Sequence, residues 1–302
     1  MQHKGDLAGT DGRGGNSAPR MDNAAHAELW QHGSESRDLL GGSGDPMSIW
    51  WLAAIPGIAL LLGVQFLLHG MRVERQIKQC HYGRALRMID GVLGWSSVGL
   101  IKLQKAEALF YWGRAQEAEA ILREFVQPSR SLADRVNGFE NLGLVLLALG
   151  RYPEAKQSFE AAAALRPTRS PAFSGLSELR LRQGLVPGQA LANAEQALKK
   201  HRSELSERFF SEGLAGIRGN QAWALALLGH AAESQQAIEL GAVEIDPKHR
   251  PELAGFHWRA GMAMLAIESS SSAAGHFRRA SELDPEGYYG GLATQQLRQL
   301  TP

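Results

Sequence analysis

The sequence predicts an all-α protein built as a solenoid of about six stacked helix pairs, preceded by one transmembrane helix and a disordered N-terminal tail. Beyond residue 72, Ala, Leu, Glu, Gln and Arg recur at helical spacing, and strand-like alternation is absent. Glycine and proline interrupt this pattern at regular intervals, which is typical of a helical repeat. Ahead of the repeats, 49–68 is a run of twenty residues without a charge, which indicates the membrane span.

Residues 1–46 are predicted to form a disordered polar tail. They contain no Ile, Val, Phe, Tyr or Cys, and Trp30 is their only aromatic residue. Such a segment cannot bury enough apolar surface to offset the entropy that it would lose on ordering. Met47 follows the tail directly, so both Met1 and Met47 remain open as the translation start.

Residues 48–70 are predicted to form the transmembrane helix. At about 1.5 Å per residue, its apolar run spans roughly 30 Å, the hydrocarbon thickness of a bilayer. Trp50 and Trp51 lie at one end, where indole rings favour the membrane interface. The alternatives are a buried core helix and a cleaved secretory signal. The signal is disfavoured because the twenty residues before the run contain one basic residue, Arg37, and no A-x-A-like site follows the run.

The clearest repeat unit reads "NGFENLGLVLLALGRYPEAKQSFEAAAALRP" and ends at Pro167. It resembles the tetratricopeptide repeat, a helix–turn–helix of about 34 residues. The residue types that this family favours stand at the corresponding positions of the unit. These residues are Leu142, Gly143, Gly150, Tyr152, Ala155, Phe159, Ala162 and Pro167. Glycine ends a helix in the left-handed conformation, and small residues let two antiparallel helices approach closely. Phe159 is expected to fill the space between neighbouring helices.

Weaker copies of the unit extend the resemblance over the solenoid predicted for 71–302. They are centred on Gly113, Gly184, Gly229 and Gly261, and a first unit would use 66–79 as its first helix. The resemblance implies a right-handed superhelix with a concave inner face. The last segment, "GYYGGLATQQLRQL", is predicted to be a C-terminal capping helix, although its tyrosines could equally pack inside. A non-repeating helical bundle is the alternative fold.

Composition and motifs point away from catalysis and from cofactor, metal or nucleic-acid binding. The net charge is +1, from 32 basic and 31 acidic residues, so the chain lacks the basic field of a nucleic-acid binder. The ten histidines have no paired ligand spacing, and phosphate-binding glycine loops are absent. Cys80 is the only cysteine and is expected to be a small, partly buried residue within a helix.

The resemblance implies that a protein or peptide partner binds in the concave groove, which is lined by first-helix residues. Their positions in this sequence are Glu107, Phe110, Tyr111, Asn137, Glu140, Asn141, Leu144, Glu178, Arg182, Asn220, Trp223, Trp258, Arg259 and Met262. Aromatic, Arg and Asn side chains suit an extended peptide or a helix. For the aromatic residues, packing between repeats is the competing interpretation. A chaperone-type carboxylate clamp is not expected, because only Asn141 matches its pattern.

These features predict a non-catalytic, membrane-anchored scaffold that resembles bacterial envelope-assembly adaptors. The alternatives are a periplasm-facing assembly factor or chaperone, and a regulatory subunit of an envelope enzyme. Residues 28–47 contain one basic residue and 72–91 contain five, which predicts a cytoplasmic solenoid at the inner membrane. The sequence leaves the oligomeric state and the partner open.

Overall fold

The computed structural model describes residues 46–91, 99–204 and 213–300. All regular structure in these ranges is helical, as the sequence predicts. The helices are α1 (Pro46–Lys78), α2 (Tyr82–Asp90), α3 (Gly99–Tyr111), α4 (Ala115–Phe125), α5 (Leu132–Ala148), α6 (Tyr152–Leu165), α7 (Ser170–Arg182), α8 (Pro187–Glu204), α9 (Leu214–Leu227), α10 (Ala231–Glu244), α11 (Arg250–Ala266), α12 (Ser270–Leu283) and α13 (Tyr288–Leu300). The predicted disordered tail lies almost wholly outside the described residues.

The chain divides into two compact units, Met1–Leu62 and Gly63–Pro302. In the first unit, the described residues are the N-terminal part of α1. Its leucines at positions 60, 61 and 62 are between 62% and 70% exposed. Among the described residues, 57–78 of α1 is the stretch long and apolar enough to cross a membrane.

The second unit consists of helix pairs that reverse at one residue with positive φ. These residues are Cys80, Gly113, Gly150, Gly184, Gly229 and Glu268, with φ between 60° and 81°. Two backbone hydrogen bonds close the turn at Gly150, from its own N–H to the Leu147 carbonyl and from the Arg151 N–H to the Leu146 carbonyl. This geometry satisfies carbonyls left without partners at the end of the first helix.

Cys80 therefore occupies the turn position that glycine takes in four of the other hairpins. The expectation that Cys80 lies within a helix is wrong, because α1 ends at Lys78 and α2 begins at Tyr82. Its φ of 61° is a left-handed conformation that glycine adopts more easily than residues with a side chain. The six turns define six helix pairs, and α13 follows the last pair.

Neighbouring helices pack through contacts between phenylalanine and glycine. Phe159 of α6 is fully buried and contacts Gly143 of α5 and Gly175 of α7. A Cβ atom at Gly175 would lie 2.2 Å from Phe159 Cε1, well inside van der Waals contact. Phe277 against Gly261 repeats this arrangement, with a corresponding distance of 2.5 Å. The glycines thus set how closely the helices approach.

The two ends of the second unit contact each other. The Tyr82 hydroxyl, at the start of α2, donates a buried hydrogen bond of 2.8 Å to Asp284 Oδ1, just after α12. The adjacent Cys80 Sγ donates to the Leu283 carbonyl at 3.4 Å. Burial, with a further contribution from Asp284, raises the pKa of the Cys80 thiol to about 12, so the thiol keeps its proton. The stack of helix pairs is therefore closed on itself.

The first residues of helix α13 reach the inner face of this stack, whereas Gly291, Gln295 and Arg298 farther along the helix are exposed. It packs against α11, α12 and α3. The Tyr288 ring lies 5.3 Å from the ring of Phe110 on α3, and the Tyr289 ring lies 6.1 Å from that of Trp258 on α11. Of the two sequence-based alternatives for its tyrosines, the structure shows inward packing.

Two glycine-to-alanine changes are expected to affect stability in opposite directions. Gly175→Ala should lower the free energy of unfolding by about 1–3 kcal/mol, because its methyl group overlaps the buried Phe159 ring. Gly275→Ala in α12 should raise it by about 0.5–1 kcal/mol, since no atom lies within 4 Å of the added Cβ and alanine favours helices. Chemical denaturation followed by circular dichroism measures both. Equal effects would contradict the packing role of Gly175.

Candidate functional site

A groove of about 720 Å³ lies on the inner face of the closed stack. Helices α3, α5, α7 and α11 and the turn before α7 contribute its walls. Five of the predicted partner-binding residues line it: Glu107, Asn137, Glu140, Asn141 and Leu144. The groove also contains residues that were not predicted, among them Arg166, Arg169 and Glu252.

Two smaller cavities adjoin the groove through shared lining residues. The larger, of about 150 Å³, is bordered by Phe110, Tyr111, Glu178 and Arg259 among the predicted residues, and by Tyr289 of α13. The smaller, of about 50 Å³, lies between α3 and α5. Leu144 borders all three spaces. The structure thus places nine of the fourteen predicted residues around one connected inner surface.

Hydrogen bonds and an ion pair orient the polar side chains on the α5 wall. Asn141 Nδ2 donates to the Asn137 carbonyl at 2.9 Å. Arg169 donates to Asn137 Oδ1 at 3.0 Å and forms an ion pair of 3.0 Å with Glu140. The sequence did not predict Arg169 as a groove residue. It lies in the turn before α7, outside the first-helix positions that the family resemblance supplies.

Glu107 has an altered proton affinity. Burial raises the pKa of its carboxyl to about 7, His249 lowers it, and the nearby Glu252 carboxylate raises it further. Glu252 belongs to the first turn of α11. Its Oε1 lies 3.9 Å from His249 Nε2, and its backbone N–H donates to His249 Nδ1 at 3.3 Å. Two carboxyl groups from opposite parts of the stack therefore share one region of the groove.

A buried ion-pair network lies beside the groove. Glu178 of α7 is 2% exposed and pairs with Arg182, at 2.6 Å, and with Arg259. Burial by itself would raise the pKa of Glu178, but Arg259 and Arg182 outweigh this effect and hold the pKa below its usual value. The two arginines also donate hydrogen bonds of 2.8 Å to the hydroxyls of Tyr288 and Tyr289. The network thus fixes α13 against α7 and α11.

The remaining predicted residues pack between helices. Arg182 lies over the Trp258 ring, 4.7 Å from its centroid. Trp258 and Trp223 form an edge-to-face pair with centroids 5.6 Å apart, and each is 5% exposed. Asn220 is fully buried and donates to the Ser174 carbonyl at 3.0 Å. Met262 is partly buried and packs against the same core. Packing between repeats accounts for these five positions.

The described residues contain no group of three or more His, Cys, Asp or Glu side chains arranged to hold a metal ion. The inner surface offers apolar walls, amide groups and charged side chains. This chemistry suits recognition of a peptide segment.

Residues 136–169 match the family model of the tetratricopeptide repeat. Among solved structures, the chain is similar to one in the APC/C hetero-tetramer Cut9–Hcn1, with 14% identity, a TM-score of 0.53, and coverage of 79% of this chain and 46% of that one. A tetratricopeptide repeat protein from Parabacteroides merdae has 18% identity and a TM-score of 0.49, over 78% of this chain and 84% of that one. No curated protein sequence matches the chain. These similarities concern the fold.

Replacing Glu178 is expected to destabilise the protein strongly. Glu178→Gln removes the counter-charge of two buried arginines, so the free energy of unfolding should fall by about 3–5 kcal/mol at neutral pH. The folded-state pKa lies below the unfolded value of about 4.3. The stabilisation is therefore present above pH 4.3 and is lost as pH falls through the folded-state pKa. The difference between variant and wild type should consequently shrink in acid.

Denaturation midpoints measured from pH 7 to pH 3 test this expectation. Glu160→Gln is the matched control, because Glu160 pairs with Lys156 at 3.6 Å on the surface and exposed pairs contribute little. A loss of stability that stayed constant across this pH range would contradict an electrostatic role for Glu178.

Proposed function

We propose that this chain, a tetratricopeptide-repeat protein, is a non-catalytic scaffold that holds a protein or peptide partner in its inner groove at a bacterial cell membrane. The observation that carries the proposal is the 720 Å³ groove, which is bordered by residues at the family's partner-binding positions. Repeats of this kind generally mediate protein–protein interactions, because their stacked first helices present an extended concave surface.

The groove can satisfy the backbone and the side chains of an extended segment. Asn137, Asn141 and Glu140 supply donors and acceptors along one wall, and their side chains are held by the contacts described above. Phe110 and Leu144 add apolar surface at the base. A preorganised wall of this kind loses little side-chain entropy on binding. The groove therefore favours a short peptide segment over a small polar metabolite.

Membrane attachment is supported by the exposure of the apolar stretch in α1. Leu60 and Leu61 are 70% and 66% exposed, whereas a core helix of similar composition would be buried. Soluble chains seldom leave such a contiguous apolar surface in water. We propose 48–70 as an uncleaved anchor. The excess of basic residues in 72–91 favours a solenoid on the cytoplasmic side.

Two substitutions on the α5 wall should weaken partner binding. The double change Asn137→Ala and Asn141→Ala removes two amide side chains from the groove, and a lost hydrogen bond costs about 1 kcal/mol. Recovery of the crosslinked partner from membranes should fall roughly tenfold. Gln157→Ala, on the exposed face of α6, is the control. Unchanged recovery by a folded double variant would rule out this wall as the binding surface.

Reporter fusions at the C-terminus test the orientation. With the solenoid in the cytoplasm, a fused fluorescent protein should be bright and a fused alkaline phosphatase inactive. The reverse pattern would instead support the periplasm-facing assembly factor or chaperone.

The anchor itself is tested by replacing Leu60, Leu61 and Leu62 with Ser. Loss of membrane association would support the anchor, and unchanged association would contradict it.

A further inference from the structure

The part of the groove beside α3 and the start of α11 carries two acidic side chains, Glu107 and Glu252, of which only Glu252 has a cationic side chain, His249, within 4 Å among the described residues. The Glu107 carboxylate forms no hydrogen bond or ion pair with another described residue, since the nearby ion pairs all involve other groups. The contacts of the Glu252 carboxylate are a hydrogen bond of 3.5 Å from the Gly213 N–H and the 3.9 Å approach to His249. Both side chains line the 720 Å³ groove.

The nearest cationic groups already have acidic partners. Lys78 forms an ion pair of 2.8 Å with Glu74, and Arg169 pairs with Glu140. Arg259 pairs with Glu178, which is itself shared with Arg182. Among the described residues, the Glu107 carboxylate therefore has no cationic partner within 4 Å, and Glu252 has only His249.

Apolar walls surround this charge. Tyr111, Phe110 and Leu144 border the cavities that continue from the groove beside Glu107. An aliphatic stem with a cationic head fits such a space, because the stem contacts apolar side chains while the head meets carboxylates and an aromatic face. A lysine or arginine side chain has this form, and an acidic or short polar side chain does not.

We propose that Glu107 and Glu252 receive the cationic side chain of a lysine or arginine in the partner segment, while the backbone of that segment lies along the α5 wall. This inference rests on the proposed function and specifies the kind of peptide that the groove accepts. Burial raises the pKa of Glu107 in the free protein, and a cationic side chain placed beside this carboxyl would lower the pKa again.

Peptide selection with the full chain in detergent micelles tests the inference. A randomised heptapeptide phage library is panned against wild type, against the double variant Glu107→Gln and Glu252→Gln, and against the control Glu117→Gln. Glu117 pairs with Arg114 on the outer surface of α4. We expect enrichment of one Lys or Arg position by wild type and by the control, and loss of that preference with the double variant.

The outcomes separate this inference from the proposed function. Enriched peptides without a basic position, or with one that persists in the double variant, would overturn the inference and leave the scaffold function standing. No enriched peptide at all would contradict both. If the double variant does not fold, as judged by circular dichroism, Glu107→Gln alone replaces it.

A thermodynamic cycle with one selected peptide gives a second readout. Replacing its basic residue by norleucine should weaken binding to wild type about tenfold or more, which corresponds to about 1.4 kcal/mol. The same replacement should change binding to the double variant by less than about twofold, because the two groups form one interaction. An equal loss of affinity for both proteins would show that the basic side chain binds away from Glu107 and Glu252.

Discussion

The stacking of helix pairs in this protein depends on contacts between a phenylalanine and a glycine. Phe159 lies between Gly143 and Gly175 without room for a single methyl group on either, and Phe277 has the same relation to Gly261. Close-packed contacts of this kind fix the distance between helices, because moving the helices apart or closer together costs free energy. The distance between first helices in turn sets the width of the inner surface on which Asn137, Asn141 and Leu144 are placed.

Charge determines how this inner surface is divided. On the α7 side, Glu178 is neutralised by two arginines, and these arginines bind the two tyrosine hydroxyls of α13. Beside α3 and the start of α11, Glu107 has no ion-pair partner among the described residues, and Glu252 has His249 at 3.9 Å. One part of the inner surface is therefore filled by α13, and the other part borders the 720 Å³ groove.

The sequence predicts those features of the fold that depend on residues close together along the chain. The hairpins, their glycine turns and the role of Phe159 follow from spacing within about 34 residues, and these expectations are confirmed. The closure through Tyr82 and Asp284 joins residues 202 positions apart, and no local pattern indicates such a contact. Cys80 was misassigned because a cysteine stands where the other hairpins mostly have glycine.

The site was predictable to a similar extent. Counting along first helices located the groove residues of α3 and α5, since these helices face the open space. The same counting cannot show that α13 folds inward and covers Arg182 and Trp258. It also omits Arg169 and Glu252, which lie in a turn and at the start of a helix. Their position in the groove becomes visible only when the fold brings the start of α11 near α3.

The closure has a consequence for how this protein could change over evolutionary time. Open repeat arrays readily lengthen and shorten, because each unit contacts only its neighbours and a duplicated unit finds a ready-made surface. Here an additional helix pair would separate Tyr82 from Asp284 and leave that buried carboxylate without its hydroxyl donor. The contact between the ends thus opposes the gain or loss of a helix pair.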